Sequence, residues 1–347
     1  MRGFGAPCHN SALSQLRDML QRRDAAMMLR WLCLPVLLLV VSTARADQPT
    51  WGAFLEGVYE QGRSEGISEA VLVEALGGIR PIDRVLELDR RQPEGTVTFD
   101  EYMASRIPPE LMTEARRRYE EDLPLLTAIG DKYGVDPEFI VALWGLETRF
   151  GTYTGGFDVV NSLATLAWDP RRSDYFRGEL MRALHILDQG HISHSDMKGS
   201  WAGAMGQCQF MPSSFMSYAV DWDLDGHKDI WTTRGDVFAS AANYLSGVGW
   251  REGLPWGGRV KLPAGLDTEL AGNRNTLPLS QWQAMGVTFV GNPPQVGANE
   301  QASLILPGGP GGPAYLVFDN YRAIMKWNRS DYFGMSVVTL ADAVTGR

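Results

Sequence analysis

A chain of 347 residues with 44% hydrophobic content can bury one large core or two modest ones. Its 41 acidic against 32 basic residues argue against nucleic acid and anionic membrane surfaces as partners. Three cysteines are too few for a disulfide-built scaffold.

The N-terminus reads as an address. Met28-Leu29-Arg30 leads into the apolar run Trp31–Val41, and Ala44-Arg45-Ala46 follows. A basic start, a short apolar stretch and Ala-x-Ala predict cleavage near Ala46–Asp47 and export to the periplasm. The run is too short to span a membrane comfortably and contains Pro35, so no transmembrane helix is expected in the mature chain, with an uncleaved anchor as the plain alternative. The 27 residues ahead of it form an unusual leader, with Met27 or Met28 as the alternative start. Residues 1–46 hold six Arg and two acids, which leaves 26 bases, 39 acids and a net charge of −13. Cys8 and Cys33 leave with this segment. Only Cys208 stays, so no intramolecular disulfide is expected. No Cys stands at the cleavage position, so no lipid attachment is expected either.

Residues 47–130 read as a helical domain. Trp51, Phe54, Leu55, Val58 and Tyr59 recur at helical spacing, and Gly66-Ile67-Ser68 starts a second helix through Leu76. Ile82–Leu88 is a short third. Thr98–Tyr102 opens a helix that ends before Pro108-Pro109. The stretch Glu110–Tyr133 is long and amphipathic, with a kink expected at Pro124. Residues 131–255 form a helical core rich in Trp, Gly and Ala. Residues 256–313 carry short β-like runs at Val260–Pro263, Val287–Val290 and Ala302–Pro307 between Gly, Pro and Asn, and read as a small β-rich insertion. Residues 314–347 begin with the strand-like Ala314–Phe318 and return as helices to the core. The fold class is mainly α, with some β.

The stretch Asp136–Gly151 stands out. Asp136 suits an N-cap, Pro137 the first helical position, and Glu138 the positive helix end. Phe139–Leu146 is apolar on every side, so this helix should be buried, and Gly151 should stop it. Near its end sits Glu147, on the face of Leu143 and Trp144 and roughly above Ile140. Apolar neighbours disfavour a carboxylate, which prepares Glu147 to donate a proton near neutral pH. The plain alternative is pairing with Arg149 or exposure to solvent.

Three other stretches could carry chemistry. In Lys198–Phe215, small residues let backbone approach closely, while Ser200, Gln207 and Gln209 suit sugar hydroxyls and acetamido groups. A Gly/Ala-rich helix contact is the plain alternative. Asp221-x-Asp223-x-Asp225-Gly226 is the first half of an EF-hand loop, with the His227 carbonyl at position 7. Position 12 is Thr232, not Glu, and the next carboxylate is Asp236. A calcium site with a longer loop, or a solvated acidic turn with Asp236 capping a helix from Val237, both fit. In Lys326–Phe333, aromatic faces and an Asn suit sugar rings. His185, His191 and His194 read as surface or helix-end residues. Cys208 is either a nucleophile with one of them or a small buried thiol.

Taken together these stretches carry a resemblance. Gly-Leu-Glu147-Thr-Arg-Phe-Gly, Ser162–Ala167, Arg171-Arg172, Gly199–Gly206, Gln209–Ser214, the Asp-x-Asp-x-Asp-Gly loop and Ala242–Leu245 occur in this order. The chain closely resembles the lytic murein transglycosylase B family over about residues 50 to 345. The resemblance implies a lysozyme-like helical core with an added helical domain and a small β domain. It implies cleavage of peptidoglycan between MurNAc and GlcNAc to 1,6-anhydromuramic ends, without water as acceptor and with no cofactor for catalysis. Glu147 matches the family's single catalytic Glu. Tyr102, Ser200, Gln209, Tyr244, Trp327, Asn328 and Tyr332 resemble its glycan-contacting residues, although Trp327 stands where Tyr is common. Asp221, Asp223, Asp225, His227 and Asp236 resemble its structural calcium loop. Cys208 is a departure. A monomer is expected, with glycan strands as partners and other cell-wall enzymes as candidates. The family often appends a peptidoglycan-binding module or a lipid anchor, and neither is expected in this chain. Asp158 and Asp169, the next acids, lie in Gly- or Pro-flanked turns, which fits a one-carboxylate mechanism. A hydrolytic muramidase and a non-catalytic glycan-binding scaffold remain the rival readings.

Overall fold

The computed structural model describes residues 48–91 and 97–346. The leader and the expected cleavage site at Ala46–Asp47 lie outside the described residues. The chain is mainly helical. The N-terminal helices are α1 (Trp51–Ser64), α2 (Glu69–Leu76), α3 (Asp83–Arg90) and α4 (Phe99–Arg106). Next come α5 (Pro109–Glu121), α6 (Leu123–Tyr133) and α7 (Pro137–Thr148). A two-residue strand β1 (Phe157–Asp158) leads into α8 (Val159–Trp168) and α9 (Ser173–Asp188). β2 (Lys198–Gly199), α10 (Pro212–Tyr218) and α11 (Arg234–Gly247) complete the central block. Among the described residues no helix is long and apolar enough to cross a membrane.

The expected kink at Pro124 is a full break. α5 ends at Glu121, Asp122 leaves helical geometry with φ −102° and ψ 8°, and Pro124 enters the first turn of α6. A proline ring cannot follow an unbroken helical turn, but it fits the start of a new one.

α7 is the hub. It packs against α5, α6, α11 and α14, the last helix (Asp331–Thr345). Every residue from Phe139 to Leu146 is buried, as a helix apolar on all faces requires. Its end differs from expectation: Arg149, not Gly151, is the C-cap. Arg149, Phe150 and Gly151 all have positive φ, at 50°, 59° and 78°. Two of them carry side chains, which disfavour this region, so surrounding contacts must hold the turn. The Phe150 ring packs on Gly145, where an added Cβ would lie 2.7 Å from it. Thr148 Oγ1 accepts the Gly151 N–H at 3.0 Å and donates to the Gln207 carbonyl at 3.1 Å.

The remaining sheet is antiparallel, in the order β4 (Thr276–Pro278), β6 (Gln301–Ile305), β7 (Ala314–Val317), β3 (Gly257–Lys261), β5 (Thr288–Phe289). A short helix, α12 (Leu279–Ala284), joins the outer strands, and Trp282 and Phe318 fill a separate apolar core. The expected β-rich unit stopped at residue 313. The central strand β7 lies beyond it, pairing with both β3 and β6. α13 (Asp319–Trp327) then brings the chain back to the helical core, followed by α14.

Candidate active site

Glu147 sits one residue before the end of α7, partly accessible but set among Cys208, Trp327 and the Arg106 guanidinium. Ile140, Leu143 and Trp144 from the same helix line a small cavity with Cys208, Phe238 and Trp327. Burial pushes the Glu147 carboxyl up to about 7, against the Trp327 hydrogen bond and the Arg106 charge, which both favour the carboxylate. Trp327 Nε1 donates to Glu147 Oε1 at 2.8 Å. Cys208 is buried, its S–H donates to the Val237 carbonyl at 3.3 Å, and burial drives its pKa far up. A thiol kept protonated is no nucleophile. Asp158 caps α8 and holds Lys198, and Asp169 holds Arg90 at the other end of α8. Both acids are engaged by these partners of their own.

The predicted glycan contacts fall into three groups. Trp327 and Tyr244 pack with ring centroids 4.8 Å apart, and Phe210 joins them. The Tyr244 hydroxyl is committed to the Lys326 carbonyl at 2.7 Å, so this buried ring anchors the helix end that carries Trp327. Tyr102 and Tyr332 form a second pair, at 5.2 Å, where α4 meets α14. Ser200 and Gln209 belong to a tight loop, stitched by pairing of Met205 with Gly199 and Phe210. Ser200 Oγ accepts from the Ala202 and Ala204 N–H groups, and the Gln209 amide donates to the Thr154 and Gly206 carbonyls. The small residues here serve backbone packing: a Cβ on Gly155 would collide with the Gly199 carbonyl. Asn328 is exposed and accepts the Ser330 N–H.

Of the five predicted calcium residues, three carboxylates converge. Oxygens of Asp221, Asp223 and Asp236 lie within 4.8 Å of one another. Asp236 is fully buried, and α11 starts at Arg234, so Asp236 lies inside the first turn rather than capping it. It accepts the Trp222 and Asp229 N–H groups at 2.7 and 2.6 Å. Burial raises its pKa to about 6, with the charges of Asp223 and Asp221 adding to the effect. The Asp225 carboxylate is not in this cluster, and the contribution expected of His227 is its backbone carbonyl rather than its ring. The Asp225 carboxylate accepts the His227 N–H, and the His227 ring sits 3.0 Å from the Gly190 carbonyl. The Asp225 bond is local, two residues along, whereas the His227 contact spans 37 residues.

Comparison with known proteins fits this arrangement. The family described as Transglycosylase SLT domain matches residues 50–342. The chain belongs to that family. It is 33% identical over 316 residues to membrane-bound lytic murein transglycosylase B of Escherichia coli K12, with 86% of this chain and 83% of that protein covered. It is similar to the crystal structure of SltB3 from Pseudomonas aeruginosa in complex with NAG-anhNAM-pentapeptide. That match has a TM-score of 0.82 and 42% identity over 85% of this chain and 80% of that one. The E. coli lytic transglycosylase Slt35 in complex with calcium matches with a TM-score of 0.72 and 33% identity, over 86% and 94% of the two chains. The mainly helical body with its small sheet is therefore the lysozyme-like fold of lytic transglycosylases.

Two residues of this family member matter beyond the sequence expectations. Gln207, read as a sugar ligand, is buried and acts as a brace. It accepts from Trp144 Nε1 at 2.7 Å and donates to the Trp231 carbonyl at 2.7 Å, so it ties α7 to the Asp221–Asp236 loop. Arg106 was not singled out. Its only sequence signal is its place four residues after Tyr102, on the same helical face.

Proposed function

We propose that this protein is a lytic transglycosylase that cleaves the MurNAc–GlcNAc β-1,4 bond of peptidoglycan, with Glu147 as its single acid and base. The observation that carries this reading is one carboxyl, at the end of a buried helix, pushed up to about 7 by its surroundings. Such a group is available as an acid and as a base near neutral pH. The Trp327 bond occupies Oε1, so the proton sits on Oε2. Oε2–H protonates the glycosidic oxygen as the bond to the muramic anomeric carbon breaks. The resulting carboxylate takes the proton of the muramic 6-hydroxyl, whose oxygen attacks that carbon and closes the 1,6-anhydro ring. The net step consumes no water, and Glu147 ends protonated. Tyr102 and Tyr332, Trp327, Asn328, Ser200 and Gln209 would line the glycan, and Tyr244 would support Trp327.

Asp221, Asp223 and Asp236 would hold a structural calcium ion. Three clustered carboxylates, one of them buried and pushed towards its neutral form, fit a cation between them. When bound, the ion supplies charge balance to the loop and takes no part in bond cleavage. Export to the periplasm places the protein beside its substrate.

Digestion of purified sacculi in ¹⁸O-labelled water tests the reaction. The proposed chemistry gives anhydromuramic ends, lighter by one water than hydrolytic ends and free of label. Labelled reducing ends would make the protein a muramidase, and intact sacculi would make it a binding scaffold.

A further inference from the structure

Arg106 lies at the end of α4, and its Nη2 donates to the Leu146 carbonyl at 2.6 Å. That carbonyl belongs to the last turn of α7, where a helix leaves its carbonyls without internal partners. Arg106 Nε is buried and has no hydrogen-bond partner. The guanidinium makes no ion pair among the described residues. Its neighbours around α7 differ: Arg118 is held by Glu114 and Glu121, and Arg234 by Asp122 and Glu121. A charge without a counter-charge stands beside the residue that must become charged.

We propose that Arg106 is a positioning residue for the reaction, clamping the last turn of α7 and serving as the fixed counter-cation of Glu147 once that residue has given up its proton. The proposal rests on the reading of Glu147 as acid and base. Burial opposes the carboxylate, and the Arg106 charge works the other way. Arg106 is the one charge that acts on the Glu147 carboxyl among the described residues, while the nearby Arg149 and Arg329 are exposed. Cys208 is held as a neutral thiol, and the Tyr244 phenol is pushed up to about 12. Trp327 gives a neutral N–H, and the Lys326 ammonium is bonded to the Val248 carbonyl. Arg118 and Arg234 lie over the Trp144 ring but are neutralised by their own carboxylates.

The test is the pH dependence of kcat/KM on sacculi for the wild type, Arg106→Gln and Arg106→Lys, with Glu147→Gln as control and melting curves for each. Glu147 must be protonated to start the reaction, so activity falls above its pKa. Removing the cation raises that pKa. The alkaline limb of Arg106→Gln should move up by about half a pH unit or more, with kcat down about tenfold and KM little changed. Arg106→Lys keeps the charge, so its limb should return to the wild-type position. An unmoved limb in a folded Arg106→Gln, or a loss confined to KM, overturns the proposal. Should Arg106→Gln fail to fold, Arg106→Lys decides: a wild-type limb with lowered kcat supports the proposal, and a shifted limb overturns it. An inactive Glu147→Gln with unmoved limbs refutes the role of Arg106 alone. A fully active Glu147→Gln refutes the reading of Glu147 as well.

Discussion

The Glu147 pocket and the Asp221–Asp236 loop each hold a carboxyl displaced above its ordinary range. Glu147 is displaced by burial beside apolar and aromatic groups, and the nearby charge of Arg106 pulls it back. Asp236 is displaced by burial with two further carboxylates pushing the same way. Removing the cause has different consequences in the two places. The setting of Glu147 is made of fixed apolar and aromatic side chains rather than of repelling charges, so it invites no cation, and its proton remains exchangeable with a substrate. A divalent cation would cancel the repulsion in the loop, so on the proposed reading the loop binds rather than reacts. A raised pKa alone does not mark a catalytic acid; the sign of the neighbouring charges separates the two cases.

The largest way to break this comparison is Glu147→Gln. The variant should fold, because Gln and Glu have similar helix propensity, and should lose activity by roughly 10²–10⁴-fold. Asp158→Asn and Asp169→Asn should keep activity, and a comparable loss in either would supply the second carboxylate that the account omits. Trp327→Phe comes next. It removes the donor to Oε1 while keeping an aromatic ring, and should cost about tenfold in kcat. An unchanged rate would leave the Trp327 bond without a role.

Stability sharpens the contrast further. The Glu147 carboxyl titrates higher in the folded chain than its ordinary 4.5, so the folded state binds the extra proton and loses stability as pH rises. The loss is absent below about pH 4.5 and complete above about pH 7. Glu147→Gln should therefore be more stable than wild type by about 3 kcal/mol at pH 8, and equal to it at pH 4.5. Equal melting at both pH values would mean that the carboxyl pays no burial penalty. The acidic loop should respond to an ion instead. Calcium at 100 times its Kd should raise the melting temperature at pH 7.5 by about 5 °C, and chelator should reverse it. The shift should shrink as pH falls through about 6, where protons compete for Asp236. A calcium-independent melting temperature would leave the loop a plain acidic turn.

The Glu147 helix is legible in the sequence because two strong signals coincide there, an Asp-Pro start and an apolar run with no polar face. Asp236 is legible because the EF-hand pattern lacks its last ligand and the next carboxylate invites substitution. Gly151 reads as the helix end because glycine is the usual left-handed residue. The stop falls earlier, at Arg149, because packing of Phe150 on Gly145 and the bonds of Thr148 impose the turn on non-glycine residues. Arg106 and the bracing role of Gln207 are hidden from the sequence for a different reason. Their roles arise from partners 40 and 63 residues away, and no local pattern encodes such pairings. Trp327 was visible as a motif residue, but its bond to Glu147 spans 180 residues and emerges only in the fold. The β-rich unit was cut short at 313 because Gly308–Pro313 looks like a boundary, whereas it is the connection between two paired strands.

The most direct measurement is the titration of Glu147 itself, by ¹³C NMR of the side-chain carboxyl in otherwise unlabelled protein, with Glu147→Gln to assign the resonance. The account predicts a midpoint near 7. A midpoint near 4.5 would mean that Glu147 is already ionised at neutral pH and is not the proton donor.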